Sequence, residues 1–310
     1  MSLFAQEVRA GLAAAHRRLS SKWFYDATGD RLFQDIMASP EYYLTDCERE
    51  IYRRIAPRLL AALGGDDFEL VELGAGDGSK TRYLIDGFRE GGARFTYRPV
   101  DISAHAIAAL SERVAVSWPD LPYAPLTDDY FGALARLEDG KRRLVLFPGA
   151  NIGNFSPAEA ANFLAHLRSH LRPGDLLLTG FDLKKDPDII RAAYDDAAGV
   201  TAAFNLNLLT RINRELGGNF ELDAWRHWPT YDPVTGAARS CLVVTRPQRI
   251  RLADGEATYD FAAWDTIDVE ISQKYDRAQI EALAAGAGYT HLEHLEDDRG
   301  WFSDALWRVA

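Results

Sequence analysis

Between residues 68 and 182, short β-rich runs alternate with stretches of helical period. That alternation restricts this part of the chain to βαβ units and a mainly parallel sheet. The runs are residues 68–73, 95–100, 144–147 and 176–179. Between the last two, Ser156-Pro157-Ala158-Glu159 supplies an N-cap, an N1 proline and an N3 glutamate for a helix ending near Leu171, after which Pro173-Gly174 turns the chain into the next strand. Ahead of the first run, Thr45 and Glu48 read as a capping box that opens a helix carrying Ile51, Ile55, Leu59 and Leu63, and Gly64-Gly65 ends it.

The flanks carry a different pattern. Residues 4–19 read as a helix, followed by the aromatic turn Trp23-Phe24-Tyr25-Asp26-Ala27-Thr28-Gly29, an amphipathic stretch to Met37 and Pro40-Glu41-Tyr42-Tyr43. So many aromatic rings in a connecting segment either pack it onto a core or face a ligand. Residues 187–216 look helical, anchored by Ile189, Ile190, Phe204, Leu208, Leu209 and Ile212. Residues 220–272 are β-rich again, and Asp232-Pro233 with Gly236 and then Asp254-Gly255 mark antiparallel hairpins. A helix over 277–287 and strand-like runs at 291–295 and 303–309 close the chain.

Composition narrows the function classes. The chain has 310 residues, 47% of them apolar, which is enough for one large core or two smaller ones. Its 46 acidic and 35 basic residues leave a net charge of −11, a field that repels phosphate backbones and anionic lipid, so neither nucleic acid nor membrane is expected as a partner. Cys47 and Cys241 lie in no metal-ligand spacing and are too few for a disulfide framework, and no long apolar run or leader pattern stands out. A cytoplasmic protein without a metal is expected.

The most legible chemistry lies in Val71-Glu72-Leu73-Gly74-Ala75-Gly76-Asp77-Gly78-Ser79-Lys80-Thr81, directly after the first strand. Its glycines let the backbone turn tightly and approach a ligand. Neither the Walker spacing nor the Gly-x-Gly-x-x-Gly dinucleotide spacing is met, which disfavours an NAD-dependent oxidoreductase. Glu72 at the strand end would repel pyrophosphate and suit a cationic ligand. Asp101 ends the second strand, where a carboxylate can accept from both hydroxyls of a ribose, and Asp129 could accept from an adenine amino group after a third strand. Loop aspartates also cap helices and turns. Together, three carboxylates at successive strand ends favour S-adenosylmethionine.

Further segments extend the pattern. The glycine loop, Val100-Asp101-Ile102-Ser103 and Phe147-Pro148-Gly149-Ala150-Asn151-Ile152-Gly153-Asn154-Phe155 resemble the histidine Nα-methyltransferases of ergothioneine biosynthesis. So do Trp23-Phe24-Tyr25-Asp26, Pro40-Glu41-Tyr42-Tyr43, Ala193-Tyr194-Asp195-Asp196, Phe204-Asn205-Leu206-Asn207, Ile212-Asn213-Arg214-Glu215-Leu216 and Glu270-Ile271-Ser272-Gln273-Lys274. The resemblance implies an α/β fold: a class I, Rossmann-like methyltransferase domain over 48–184 and 275–310, with a second α+β substrate-binding domain over 1–47 and 185–274. It implies that S-adenosylmethionine is held by Gly74, Lys80, Asp101, Asp129 and Tyr130. The carboxylate and amine of L-histidine would be held by Tyr42, Asn154 and Tyr194, with Tyr25, Phe33 and Gly149 lining the same pocket and Tyr25 and Asn154 as the candidate catalytic residues. Glu270 and Ser272 would hold the imidazole. Ser240 stands where some relatives carry a methionine against the substrate, and Asn151 where many carry threonine. A monomer is expected. Transfer to another amino acid or small amine, or a catalytically silent binding module on the same fold, are the alternatives.

The expected reaction is displacement at a sulfonium methyl by a neutral amine, and no residue stands out as a dedicated general base. Other loci read as structural. His166 and His170 lie away from the apolar face of their helix, and His291-x-x-His294 in a regular strand would place its rings on opposite faces. Trp225, Trp228 and Tyr231 read as sheet packing.

Overall fold

The computed structural model describes residues 2–137, 140–253 and 257–310. Its strands are β1 (Phe68–Leu73), β2 (Phe95–Asp101), β3 (Leu126–Thr127), β4 (Arg142–Phe147), β5 (Leu176–Asp182), β6 (Trp225–Asp232), β7 (Ala237–Val244), β8 (Gln248–Arg251), β9 (Thr258–Phe261), β10 (Thr266–Gln273), β11 (Tyr289–Glu296) and β12 (Phe302–Val309). The chain divides into two compact units, one of Leu44–Lys184 with Gln273–Ala310 and the other of Met1–Tyr43 with Lys185–Ser272. The first boundary precedes the helix Leu44–Leu63, whereas a boundary after residue 47 would cut that helix in its first turn.

The larger unit is built on a seven-stranded sheet of order β11-β12-β5-β4-β1-β2-β3. β1 runs parallel to β2 and β4, and β4 to β5, while β12 is antiparallel to both β5 and β11. All residues of β1 and β5 are buried, as strands covered on both faces require, Glu69 and Glu72 of β1 included. The strand order reverses between β1 and β4. In a doubly wound, Rossmann-like sheet that reversal opens a crevice at the carboxyl ends of the strands, where the loops after β1, β2 and β4 lie. The capping box at Ser156 and Glu159 forms as expected and starts the helix Pro157–Ser169.

The smaller unit packs the helices Leu3–Ala13, Ala27–Met37 and Val200–Leu216 with a three-stranded sheet of order β10-β7-β6 and the β8-β9 pair. Phe4, Val8, Phe24, Phe204, Leu208, Trp225, Leu242 and Phe261 belong to its core. The hairpin at Asp232-Pro233 and Gly236 is present, with β6 and β7 antiparallel. β8 and β9 are also antiparallel, although the Asp254-Gly255 turn lies outside the described residues.

Several local expectations are corrected. The first helix stops at Ala13 rather than running to residue 19, because the chain folds back across Gly11 and residues 17–19 pair with Asp268 of β10. A Cβ at Gly11 would lie 2.0 Å from the Arg18 carbonyl oxygen, so only glycine admits this turn. Residues 187–216 form two helices, Pro187–Ala192 and Val200–Leu216, separated by a loop whose Asp196 accepts the amides of Val200 and Thr201. Trp225 is buried and Trp228 is 61% exposed, as period-2 alternation requires of residues three apart. Among the described residues no helix is long and apolar enough to cross a membrane.

Candidate functional site

The glycine loop leaves β1 with Gly74, Gly76 and Gly78 all at positive φ (75°, 52° and 63°). A Cβ at Gly74 would lie 3.0 Å from the Tyr130 hydroxyl, so the loop and Tyr130 approach closely. Asp101 sits at the end of β2 and ties down two loops: Oδ2 accepts the Gly76 amide at 3.0 Å and Oδ1 the Ser103 amide at 2.9 Å. Burial, and then Asp101, push the Tyr130 phenol up to about 12. Asp129 is exposed and caps the helix Tyr130–Ala135, its Oδ1 accepting from Phe131 and Gly132. The expected carboxylate at that strand end is therefore also a structural cap.

Glu72 does not face a ligand. It is fully buried and accepts from the hydroxyls of Thr81 and Tyr97, which fastens the glycine loop to the sheet. Burial pushes its carboxyl up to about 7, against the opposing hydrogen bonds. Only Asp101 and Asp129 of the three strand-end carboxylates are thus open to a ligand.

Glu48 is likewise not a capping residue. Thr45 lies inside the helix Leu44–Leu63, and the fully buried Glu48 pairs with Lys80 while its Oε1 accepts the Gly149 amide at 2.7 Å. Glycine at 180 in β5 makes room for it, since a Cβ there would lie 3.0 Å from Glu48 Oε1. Burial alone would lower the Lys80 ammonium, but Glu48, with Asp304 and Glu72 behind it, holds it above its ordinary value. Burial and Glu48 keep the Asp304 carboxyl well above the usual carboxylate range. After β4 the chain passes through Gly149 (φ 73°) and Ala150 (φ 57°), two consecutive left-handed residues, into the turn Asn151–Asn154. The Asn154 side chain is exposed at the end of that turn.

In the smaller unit, Asp26 caps the helix Ala27–Met37 through the amides of Thr28 and Gly29 and also accepts from Asn207 and Arg214. Burial would raise its carboxyl, yet Arg214 and the amides bring it down to about 2. This anchor fixes the aromatic segment. Tyr25, Phe33 and Phe204 pack edge-on or tilted at centroid distances of 5.6–5.9 Å, and Tyr42 lies 6.4 Å from Phe33. On the three-stranded sheet, the Tyr194 hydroxyl donates to Ser272 Oγ at 2.7 Å, and Ser240 Oγ lies 3.1 Å from both Glu270 Oε2 and His227 Nε2. Burial pushes the His227 ring down to about 4, more than Asp195 and Asp196 raise it. The sequence offers Glu48 only as a helix cap and gives no signal for Asp304 or His227, because their partners lie far away along the chain.

His291 and His294 are not on opposite faces. A β-bulge between His291 and Glu293 brings their rings to 4.2 Å, beside Glu281. Both nitrogens of His294 are already engaged, by Ser303 and by Glu281, which accounts for the cluster. His166 packs on Phe131 at 4.1 Å, outside the apolar face of its helix. A cleft of about 360 Å³ lined by Asp67, Arg89, Arg94, Asp120 and Lys141 lies at the amino-terminal end of β2, away from the glycine loop, and its arginines are paired with its aspartates.

The chain is 39% identical over 301 residues to the histidine N-alpha-methyltransferase of Mycolicibacterium smegmatis, covering 97% of this chain and 93% of that protein. It is 36% identical to the enzyme of the same name from Mycobacterium tuberculosis, with the same coverage. It is 28% identical to ergothioneine biosynthesis protein 1 of Schizosaccharomyces pombe, over 86% of this chain and 37% of that longer protein. With a reversal of strand order at the glycine loop and the model for histidine-specific, SAM-dependent methyltransferases matching residues 4–309, the chain belongs to that family of class I methyltransferases.

Proposed function

We infer that this protein transfers methyl groups from S-adenosylmethionine to the α-amino nitrogen of L-histidine, through to trimethylhistidine, as a step in ergothioneine biosynthesis. The observation that carries the reading is the Glu270, Ser272 and Ser240 group on one sheet, in a chain 39% identical across 97% of its length to a histidine N-alpha-methyltransferase. An acceptor carboxylate beside hydroxyls matches an imidazole, which offers one N–H and one lone pair.

The loops of the larger unit fit the donor. Positive-φ glycines at 74, 76 and 78 leave bare backbone, Asp101 offers acceptors for ribose hydroxyls, and Asp129 and Tyr130 stand next to it in the fold. Lys80 would be an unwelcome cation beside a sulfonium, and its pairing with Glu48 offsets that charge. The bound donor supplies an electrophilic methyl group. On the acceptor side, Tyr42 and Tyr194 of the smaller unit offer neutral donors and acceptors to the amino and carboxylate groups beside the rings of Tyr25 and Phe33, and in the larger unit Asn154 offers its amide beside Gly149. Glu270 and Ser272 hold the imidazole.

The amine must arrive without its proton. Its lone pair forms the new N–C bond while the sulfur–methyl bond of the donor breaks and the neutral thioether leaves, and the proton of each resulting ammonium must pass to solvent before the next transfer. With no dedicated base at hand, these residues accelerate the reaction by stripping water and holding the nitrogen in line, an effect worth several kcal/mol. The two unpaired thiols, Cys47 and Cys241, support a reducing, cytoplasmic setting, and the reading takes the enzyme to act as a monomer. The test is a methyl-transfer assay across the amino acids with mass detection. Trimethylated histidine as the main product is expected; transfer to a different amino acid in preference would overturn the assignment.

A further inference from the structure

Three polar side chains on the sheet of the smaller unit form one directed chain. Ser240 on β7 is 1% exposed, and its Oγ lies 3.1 Å from Glu270 Oε2 on β10 and 3.1 Å from His227 Nε2 on β6. A carboxylate only accepts, so the single hydroxyl proton of Ser240 points to Glu270. The serine oxygen is then the acceptor toward the ring, which fixes His227 as the tautomer with its proton on Nε2. Pro229, not His227, stands opposite Ser240 in the β6–β7 ladder. His227 therefore reaches Ser240 along the diagonal, a distance that long side chains span.

The electrical character of this chain matters as much as its geometry. Burial keeps His227 neutral at neutral pH, and serine carries no charge. Ser240 thus holds the Glu270 carboxylate through a hydrogen bond that does not itself offset its negative charge. A lysine or arginine in the place of Ser240 would hold the carboxylate more tightly but cancel that charge. A glutamate has three side-chain torsions, and fixing them before the ligand arrives removes an entropic cost from binding.

We propose that His227 and Ser240 are positioning residues for histidine recognition, which hold the Glu270 carboxylate through the chain His227 Nε2–H to Ser240 Oγ–H to Glu270 Oε2 in the orientation that accepts the imidazole N–H. This rests on the reading that Glu270 binds the imidazole. Ser240 would then govern which amino acid is accepted by acting through Glu270, without needing to touch the substrate.

A double-mutant cycle tests this, with kcat/KM for histidine measured for the wild type, S240A, E270A and the double variant, and circular dichroism confirming that each folds. S240A is expected to lose about tenfold, mainly in KM, and E270A about a hundredfold or more, with the double variant no worse than E270A alone. His227→Phe, which lacks the donor, should resemble S240A, while His227→Gln, whose amide can donate from a similar place, should stay within about threefold of wild type. Independent, multiplying losses for S240A and E270A, or equal losses for the Phe and Gln variants, would overturn the positioning role. A small effect of E270A itself would instead overturn the reading of Glu270. The two failures are therefore distinguishable.

Discussion

Glu48 Oε1 accepts the backbone amide of Gly149 at 2.7 Å while the other oxygen of the same buried carboxylate pairs with Lys80. One side chain thereby joins the helix Leu44–Leu63 to the loop after β4 and to the glycine loop after β1. Truncation to Glu48→Ala leaves a largely buried ammonium and an amide without their acceptor, and should cost about 3 kcal/mol or more of stability. Glu48→Gln keeps an acceptor for the amide and should cost less. Urea unfolding of both variants checks this, and a loss in Glu48→Ala of under about 0.5 kcal/mol would show that the pair is not structural.

Asp101 already accepts the amides of Gly76 and Ser103, and each carboxylate oxygen keeps a further lone pair for a ribose hydroxyl. Asp101→Ala should weaken S-adenosylhomocysteine binding by about 2 to 4 kcal/mol and leave histidine binding far less affected. Calorimetric titration of the variant decides it, with unchanged donor affinity as the contrary result.

Glu72 links stability to pH. Its folded-state carboxyl titrates near 7, above its ordinary 4.5, so the native state holds this proton more tightly than the unfolded chain does. The resulting stabilisation is complete below about pH 4.5 and is lost as pH rises through 7, an effect on the order of 3 kcal/mol. Glu72→Gln should remove that slope. Unfolding free energies of the wild type and variant across this range should converge or diverge accordingly; parallel curves would contradict a raised Glu72.

The amine's ionisation should govern the rate. Because only the neutral amine attacks, kcat/KM for histidine should rise with pH through the ammonium's pKa. A flat profile from about pH 6 to 10 would contradict attack by an amine taken neutral from solution.

What the sequence revealed and what it concealed divide along a physical line. β1, β2, β4 and β5, the glycine loop and the Ser156 capping box depend on contacts within a few residues or on short β-rich runs, and all are legible. Glu48 shows the opposite case. Thr45 and Glu48 have capping-box spacing, yet the carboxylate bonds residues 32 and 101 positions away, which no local pattern encodes. Glu72 has the right position for a ligand but turns inward, because Thr81 and Tyr97 satisfy it there. The bulge that unites His291 and His294 is one residue of register, and period-2 reasoning assumes it away. His227 reaches Ser240 only along a ladder diagonal, which depends on the β6–β7 register.

Recognition of the imidazole by Glu270 is the centre of this account, and substrate discrimination measures it most directly. With kcat/KM determined for histidine, phenylalanine and tryptophan in the wild type and Glu270→Ala, the histidine value should fall by two or more orders of magnitude, about 3 kcal/mol, as a charge-assisted hydrogen bond is lost. Phenylalanine and tryptophan should lose much less, since their rings do not need that acceptor in the same way. Equal losses for all three amino acids would show instead that Glu270 maintains the fold and does not read the imidazole.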